Sequence, residues 1–461
     1  MAKQLALTDL SAGRGANMPG RGQLERGPVG AGGRLGRADR RKLWLPYVAA
    51  GVFLGLIIFG FLLFTYPVGA QGQGRGSPLY QIALLSSFAL TVLALRPWVD
   101  FRRLFVLPLG LVLALGWCWL SVNWAISPAD SIRRVAQATL VPLSTFYIVK
   151  SLGYERFMTM LRWSLVGALS LCYLAVFLIP EIGIQHAVVL TDAGNEGTWR
   201  GIMQDKNTAG SLCAVTIIIL LFDAGTLKRA LRAILIVATA IFLFKSGSKT
   251  AMGIVLLTAP IGAMVKIYNP KYRIYLLPLA AVAAIAIMLG HDLVTAPFRN
   301  AIYEPLSFTG RGMIWAGLWG YIQDHWVLGS GFGSFWSIQS VSPITQYSEY
   351  EWVRKAVFVG HSGYLDLWAT IGLPGLILAV LAIIVWPLIK VMISKDLSRR
   401  RAALVVGLII FCAGDNLTES TILSGDAFLN VVLMFALAML HVKTSVVPPI
   451  VDRRRHIGAA S

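Results

Sequence analysis

Residues 43–66 read LWLPYVAAGVFLGLIIFGFLLFTY and contain no Asp, Glu, Lys or Arg. About 20 apolar residues in a helix are enough to cross the hydrocarbon core of a bilayer, so this stretch predicts a membrane-spanning helix. The composition of the whole chain agrees. Of its 461 residues, 56% are hydrophobic and 14% are charged, whereas soluble domains carry about 25% charged residues. The sequence therefore predicts an integral membrane protein.

Eleven further apolar segments follow, which makes about twelve predicted transmembrane helices. These segments cover residues 79–96, 104–122, 132–149, 158–180, 207–223, 230–245, 250–267, 274–290, 373–394, 402–414 and 427–442. The segment at 402–414 is the shortest. We predict an all-α polytopic membrane protein in which one large loop on the outer face carries short amphipathic helices.

The positions of the basic residues predict the orientation of the chain. Lys and Arg exceed Asp and Glu by 41 to 22, an excess that nucleic-acid-binding proteins also show. Here the bases are concentrated in the N-terminal tail and in alternate connections between apolar segments, which is how charges set membrane topology. The basic connections contain Arg102-Arg103, Lys150 to Arg156, Lys228-Arg229, Lys266 to Arg273 and Arg399 to Arg401. They predict cytoplasmic termini and no nucleic-acid partner.

This orientation divides the chain into five regions. Residues 1–42 are rich in Gly and Arg and are expected to be a disordered, basic cytoplasmic tail. Transmembrane helices 1–9 occupy residues 43–290, helices 10–12 occupy residues 373–442, and residues 443–461 form a second cytoplasmic tail. Residues 291–372 form an outer-face loop that is long and rich in Trp, and loops of this kind are usually functional.

Basic residues are scarce on the outer face of a membrane protein, so those predicted there are candidates for binding an anion. Arg200 and Lys206 precede the apolar segment that begins at residue 207, Lys249 precedes the one that begins at residue 250, and Arg133 lies at the outer start of the fourth segment. A helix N-terminus that faces outward carries partial positive charge, which favours an anionic ligand. Ordinary placement of basic side chains at the membrane interface is the alternative.

The long outer loop adds an arginine and a histidine. Arg311 flanks a helical apolar stripe over residues 313–324, whose two Trp residues predict that it lies along the membrane surface. His361 is expected to open a second helical run. Its imidazole is the side chain that can accept a proton near neutral pH. A structural or interfacial histidine is the alternative.

Motifs for metal binding are missing from the sequence. It has no HExxH pattern and no Cys/His pairing. The four cysteines lie within apolar segments, where a thiol usually acts as a small apolar group. They are Cys118, Cys172, Cys213 and Cys412. We therefore expect no metal ion, no cofactor and no disulfide bond.

Several short motifs, taken in order, resemble the O-antigen ligase/polymerase superfamily, and the exopolysaccharide (O-antigen) polymerase branch most of all. The resemblance covers roughly residues 110–440 and is most specific between Arg311 and His361. The motifs are Trp199-Arg200-Gly201 with Lys206-Asn207, Ser246-Gly247-Ser248-Lys249-Thr250, Thr309-Gly310-Arg311 with Ile314-Trp315, Leu328-Gly329-Ser330-Gly331-Phe332-Gly333, His361 with Tyr364-Leu365, and Asn416 with Thr418-Glu419-Ser420.

This resemblance implies a metal-independent glycosyltransferase of the bacterial inner membrane. Such an enzyme takes an oligosaccharide linked to polyprenyl diphosphate at the periplasmic face and transfers it to an acceptor hydroxyl. The acceptor is another lipid-linked glycan in a polymerase, or lipid A-core in a ligase. The bilayer is a partner in either case, and a chain-length regulator and a flippase are further candidate partners.

The resemblance and the residue chemistry together predict the site. A diphosphate leaving group without a metal needs Arg, Lys and helix N-termini to meet its charge. Arg200 and Arg311 are expected to bind it with Lys206 and Lys249 as supports, and Arg200, Arg311 and His361 are the predicted catalytic residues. His361 is the predicted general base. Arg133 and Glu419 are secondary candidates.

Two other classes of protein stay open at this point. A secondary transporter or flippase would also have about twelve spans, but it should show two similar halves and charges buried within the spans. A scaffolding subunit would need no cluster of Arg and His on the outer face. The sequence favours the enzyme over both.

Overall fold

The structure is a computed structural model, and it describes residues 37–64, 78–186, 196–275, 310–336, 342–425 and 427–442. Over these residues the chain is helical and contains no β-sheet, apart from one isolated bridge between Ile184 and Trp199. The predicted all-α class is therefore confirmed for the described part of the chain. From Trp44 onward the chain forms one compact unit.

Twelve longer helices, numbered here in chain order, make up most of the described structure. They are α1 (Arg37–Phe64), α2 (Pro78–Leu95), α3 (Leu109–Leu120), α4 (Pro128–Leu152), α5 (Tyr154–Leu178), α6 (Lys206–Phe222), α7 (Arg229–Ser246), α8 (Lys249–Ile267), α9 (Arg311–Asp324), α10 (Gly363–Ile393), α11 (Arg399–Asp415) and α12 (Phe428–His441). Helix α10 bends at Gly372, contains a π-helical turn at Leu381–Val385 and continues to Ile393.

Eleven of the twelve predicted apolar segments coincide with helices in this set. The twelfth helix of the set, α9, lies in the long loop and corresponds to none of the predicted segments. The remaining segment, 274–290, lies almost wholly outside the described residues, as do the tail at 443–461 and most of the tail at 1–42. Within the part of the chain that the structure describes, five helices are long and apolar enough to cross a membrane: α2, α4, α5, α8 and α10. Shorter apolar helices lie at Trp44–Gly60, Leu109–Trp124, Lys206–Phe222 and Phe428–His441. The chain is thus a membrane protein.

Helices α6, α11 and α12 form the centre of the main apolar core, because they are buried on nearly all sides. The surrounding helices keep large apolar side chains on their outer surfaces, as Phe177 on α5, Phe244 on α7 and Leu256 on α8 illustrate. An outward apolar surface of this extent is what a hydrocarbon environment requires.

The long loop has a small apolar core of its own. Ile314, Leu318 and Tyr321 of α9 pack there with Phe335 and with Val353 of the short helix Glu351–Ala356. The sequence predicted this apolar stripe on α9 but placed it against the membrane surface. In the structure its central residues are buried inside the loop, while Trp319 is 46% exposed.

The glycine run at residues 329–333 fastens this loop to the transmembrane helices. Gly329, Gly331 and Gly333 have φ values of 66°, 87° and 65°, a region that residues with a side chain rarely occupy. A Cβ atom at Gly331 would lie 2.4 Å from Cα of Ala125, in the turn before α4. The run is therefore a packing element of the fold.

Candidate functional site

The turn at residues 416–421, which follows α11, is contacted by the first residues of four helices. Asn207 of α6 donates from Nδ2 to Oε1 of Glu419 at 2.9 Å. In α8, Thr250 shares a hydrogen bond of 2.9 Å with Thr418. Arg311 begins α9 and pairs with Glu419, and the backbone N–H of Gly363 in α10 donates to the Glu419 carbonyl at 2.9 Å. Four positive helix ends therefore converge on this turn.

Glu419 is the centre of this arrangement, which we call the Glu419 cluster: Asn207, Arg311, His361 and Glu419. Nη2 of Arg311 lies 2.5 Å from Oε1 of Glu419, and Nδ1 of His361 lies 3.4 Å from Oε2. The two carboxylate oxygens thus serve different partners. The side chains of Arg311, Glu419 and His361 are 13%, 18% and 33% exposed, so the cluster stays open on the histidine side.

The cluster keeps Glu419 ionised. Burial by itself would raise the pKa of this carboxyl group. The hydrogen bond with His361 and the positive charge of Arg311 outweigh burial, and the pKa of Glu419 is held below its ordinary value. A charged acceptor is therefore available to His361 over the whole neutral range.

The backbone at His361 is left-handed, with φ at 49°. Only a few per cent of residues with a side chain adopt this region, and such outliers cluster at functional sites. Bonds on both sides hold it: Gly360 N donates to Oδ2 of Asp366, and Ser362 N donates to Oγ of Ser420, each at 3.0 Å. The histidine is thereby aimed at Glu419.

The predicted helix start at His361 is wrong by two residues, because α10 begins at Gly363. Gly363 N donates to the backbone carbonyls of both Asn416 and Glu419. A Cβ atom at Gly363 would lie 2.3 Å from Oδ1 of Asn416, so the approach of the turn to the helix requires glycine here. These contacts with residues distant in the sequence fix the backbone at Gly363, which is the first residue of α10.

Asn416 shapes the turn from beneath and is fully buried. Its Oδ1 accepts the backbone N–H groups of Thr421 and Ile422, at 2.8 and 2.9 Å. Its Nδ2 donates to the Cys412 carbonyl at 2.7 Å. This one amide side chain therefore sets the path of the chain that presents Glu419.

The other predicted anion-binding residues are Lys206, Lys249 and Arg200, and the structure places them differently relative to the Glu419 cluster. Lys206 opens α6 next to Asn207, and Lys249 opens α8 next to Thr250 with its side chain exposed. Arg200 precedes α6, and its guanidinium donates to the carbonyls of Ile182 and Gln204 at 2.9 and 3.4 Å. The structure thus brings the Lys206 and Lys249 positions to the same turn, while Arg200 braces the segment that leads into α6.

Arg133 and its neighbour Arg134 have separate partners in α4 and the glycine run. Arg133 pairs with Asp130 one helical turn away, at 2.9 Å. Arg134 donates to the carbonyls of Gly333 and Trp336 and so anchors the glycine run. The described contacts of Arg133 therefore lie within α4, and Arg134 has a positioning role that sequence reasoning missed.

Sequence reasoning also missed Asn207, Asn416 and Asp366 and treated Glu419 as secondary. Asn207 and Asn416 stood within the recognised motifs, so their polar side chains beside Lys206 and Glu419 were an available signal. Asp366 lies in the first turn of α10, shortly after His361. It accepts from Trp336 Nε1 at 2.7 Å and from the Gly360 backbone, and so it positions the chain leading to that histidine.

Comparison with known families agrees with the resemblance seen in the sequence. Residues 234–380 match the O-antigen ligase family, and this segment contains Lys249, Arg311 and His361. The match supports membership in the O-antigen ligase/polymerase superfamily over this part of the chain. No curated protein matches the chain.

Proposed function

We propose that this protein is a membrane glycosyltransferase that moves a glycan from polyprenyl diphosphate onto an acceptor hydroxyl at the periplasmic face. Its favoured reaction is the polymerisation of exopolysaccharide or O-antigen repeat units. The observation that carries the proposal is the Glu419 cluster, in which a histidine, a carboxylate and an arginine meet at four helix N-termini. The family match supports the same class of reaction.

The anion-binding half of the proposed site consists of Arg311, Lys206, Lys249 and the positive helix ends. Arg311 uses Nη2 for Glu419. A guanidinium carries five N–H donors in a rigid fork, so Nε and Nη1 can bind diphosphate oxygens while Nη2 stays on the carboxylate. Arg200 joins this half if the segment before α6 closes over the donor. Charge that develops on the leaving diphosphate is then met by fixed donors.

The base half consists of His361 and Glu419. A carboxylate beside Nδ1 favours the tautomer in which that nitrogen carries the proton, and Nε2 then has the free lone pair. Glu419 also stabilises the imidazolium that forms when Nε2 takes a proton. The exposed third of the His361 side chain gives an acceptor hydroxyl access to this ring.

The proposed reaction is a single displacement at the anomeric carbon of the donor. The acceptor oxygen forms a bond to that carbon as its proton passes to Nε2 of His361. The bond from the anomeric carbon to the diphosphate oxygen breaks, and polyprenyl diphosphate leaves with the electron pair. No metal ion or cofactor enters this scheme, because Arg and Lys side chains supply the positive charge.

The proposal includes the topology in which the site faces the periplasm of a bacterial inner membrane. About twelve transmembrane helices, two cytoplasmic termini and a periplasmic loop at residues 291–372 would place Glu419 at the outer surface. The basic residues Lys228 and Arg229 in the connection after α6, Lys266 near the end of α8 and Arg399 at the start of α11 support this orientation. Reporter fusions test it: Arg229 and Arg400 should read cytoplasmic and Tyr347 periplasmic. A cytoplasmic Tyr347 would overturn the proposal.

Loss of the gene followed by gel analysis of surface glycans tests the reaction. A polymerase predicts that the polymer disappears while single repeat units remain. Unattached polymer would instead identify the ligase that joins polymer to lipid A-core, which shares this chemistry and differs in its acceptor. Unchanged glycans would contradict both. In a purified assay, chelator should leave transfer unaffected, and a requirement for Mg²⁺ would contradict the metal-free scheme.

A further inference from the structure

A groove of about 780 Å³ lies at the end of α6, α8 and α11 that is remote from the Glu419 cluster. Helices α6 and α8 start at the cluster and end at the groove, whereas α11 starts at the groove and ends at Asp415. A helix of this length spans about 25 Å, so the groove is separate from the proposed catalytic site.

The walls of this groove are apolar. Leu221 and Phe222 of α6 face Pro260 and Ala263 of α8. A Cβ atom at position 262 would lie 2.4 Å from the Phe222 ring, so glycine there lets the ring pack directly on the α8 backbone. The walls therefore belong to a close helix contact and are built into the fold.

The groove has positive charge at its rim. Among the described lining residues, the two that are not apolar are Lys266, near the end of α8, and Arg399, the first residue of α11. The N-terminus of α11 lies at the same rim, where Ser398 accepts the Arg401 N–H, and it adds partial positive charge. Apolar walls below two bases and a helix N-terminus match a ligand with an apolar chain and an anionic head.

We propose that this groove binds an anionic phospholipid of the leaflet on that side, which the topology predicts to be the cytoplasmic one. One acyl chain lies along Leu221, Pro260 and Ala263, and the headgroup phosphate lies between Lys266 and Arg399. Charge complementarity selects this occupant: a zwitterionic lipid carries a cation beside its phosphate and leaves the net charge of the two bases uncompensated, and an apolar helix offers them no anion. Basic pockets between transmembrane helices on the cytoplasmic side are suited to such headgroups.

Lipid binding to the purified, delipidated full-length protein tests the proposal. Native mass spectrometry would compare phosphatidylglycerol with phosphatidylcholine of the same acyl chains. We expect phosphatidylglycerol to bind about tenfold or more tightly. Equal binding of the two lipids would overturn the proposal, and it is also the result expected if another segment of this chain fills the groove. Glycerol phosphate should not compete; full competition would indicate a bare anion site and contradict a lipid.

Variants separate this groove from the general basic surface. The double substitution Lys266→Gln/Arg399→Gln should weaken phosphatidylglycerol binding about 30-fold and phosphatidylcholine binding much less, because the choline cation already offsets the phosphate of that lipid. Arg400→Gln is the matched control, because Arg400 is exposed beside Arg399 and does not line the groove. A loss from Arg400→Gln as large as that from Arg399→Gln would overturn the proposal.

A second variant probes the apolar walls without touching charge. Ala263→Trp should fill the groove and reduce the binding of both lipids, with thermal unfolding of the variant measured in parallel to confirm that it folds. Unchanged phosphatidylglycerol binding by folded Ala263→Trp protein would place the acyl chain elsewhere and contradict the proposal.

Discussion

Two Arg–carboxylate pairs lie at opposite ends of α6 and have opposite surroundings. At its start, Arg311 and Glu419 are 13% and 18% exposed, and the carboxylate is shared with a histidine that is 33% exposed. At its end, Arg162 and Asp223 are only 6% and 7% exposed. The two pairs use the same chemical groups, so their surroundings decide what each can do.

The Arg162–Asp223 pair is enclosed by partners from its own fold. Arg162 donates from Nε and Nη2 to the Asp223 carbonyl, and Tyr154 donates to Oδ2 of Asp223 at 2.6 Å. Arg401 lies over the Tyr154 ring, 3.7 Å from its centroid. This pair ties α5, α6 and α11 together and has no open side, whereas the Glu419 cluster leaves His361 accessible. Enclosure indicates a structural role, and partial exposure beside a strained backbone indicates a reactive one.

The largest effect on stability is expected when the enclosed Arg162–Asp223 pair is broken. Asp223→Ala should lower the free energy of unfolding by about 3–5 kcal/mol, because Arg162 is left buried without its counter-charge. Thermal unfolding in detergent measures this. Replacing both partners with apolar residues, Arg162→Met/Asp223→Leu, should restore most of the stability. A single variant as stable as wild type would show that the pair does not stabilise the fold.

A smaller effect is expected from Arg311, and on transfer rather than on folding. Arg311→Ala should reduce transfer about 10- to 150-fold, the range for losing one charged hydrogen bond of about 1.5–3 kcal/mol. Arg311→Lys should restore only part of the transfer activity, since lysine lacks the planar fork of N–H donors of the guanidinium. Arg200→Ala tests the second predicted arginine in the same assay.

Arg354→Ala is the control for these variants, since Arg354 is an exposed arginine of the same loop. It should transfer at the wild-type rate. Full activity of both Arg311→Ala and Arg200→Ala would contradict their assignment to the diphosphate.

The sequence predicts the positions of helices well and the partners of site residues less well. A long apolar run such as residues 43–66 must satisfy its backbone hydrogen bonds internally in a bilayer, and a helix does this. The helices could therefore be located from composition alone. The site depends on contacts such as Asn207 with Glu419, which are 212 residues apart. Arg133 and Arg134 show the same limit at short range: neighbours about 100° apart on a helix meet different surroundings.

The start of α10 illustrates why the remaining details needed the structure. A helical pattern through residues 361–372 gave no reason to expect a left-handed residue at its beginning. The conformation of His361 is set by the bonds of its neighbours to Asp366 and Ser420, one of which lies 58 residues away. Glu419 appeared secondary in the sequence because nothing local indicates that Arg311 and His361 share it.

The smallest expected effect is the pH dependence of stability from Glu419. Its pKa is lowered in the fold, so its contribution is fully present above the unfolded-state pKa of about 4.3 and is lost as the pH falls through the lower folded value. The stability difference between wild type and Glu419→Gln should therefore shrink as the pH falls below about 4.

Thermal unfolding of the wild-type protein and of Glu419→Gln measures this effect with His361 in place, because the hydrogen bond with His361 is part of what lowers the pKa of Glu419. The neighbouring acidic groups Asp205, Asp366 and Asp415 are present in both proteins of the pair. A difference that grows in acid would contradict the ionised state assigned to Glu419.

The most direct test of the Glu419 cluster is the turnover of His361→Gln, measured with the purified protein, its lipid-linked donor and a donor-binding assay. General-base catalysis contributes about 10²- to 10⁴-fold, so turnover should fall by that range while donor binding stays nearly intact. A wild-type rate for His361→Gln would contradict the account. The ring would then be structural, and the base would have to be water or one of the carboxylates Asp324, Asp366 and Glu419.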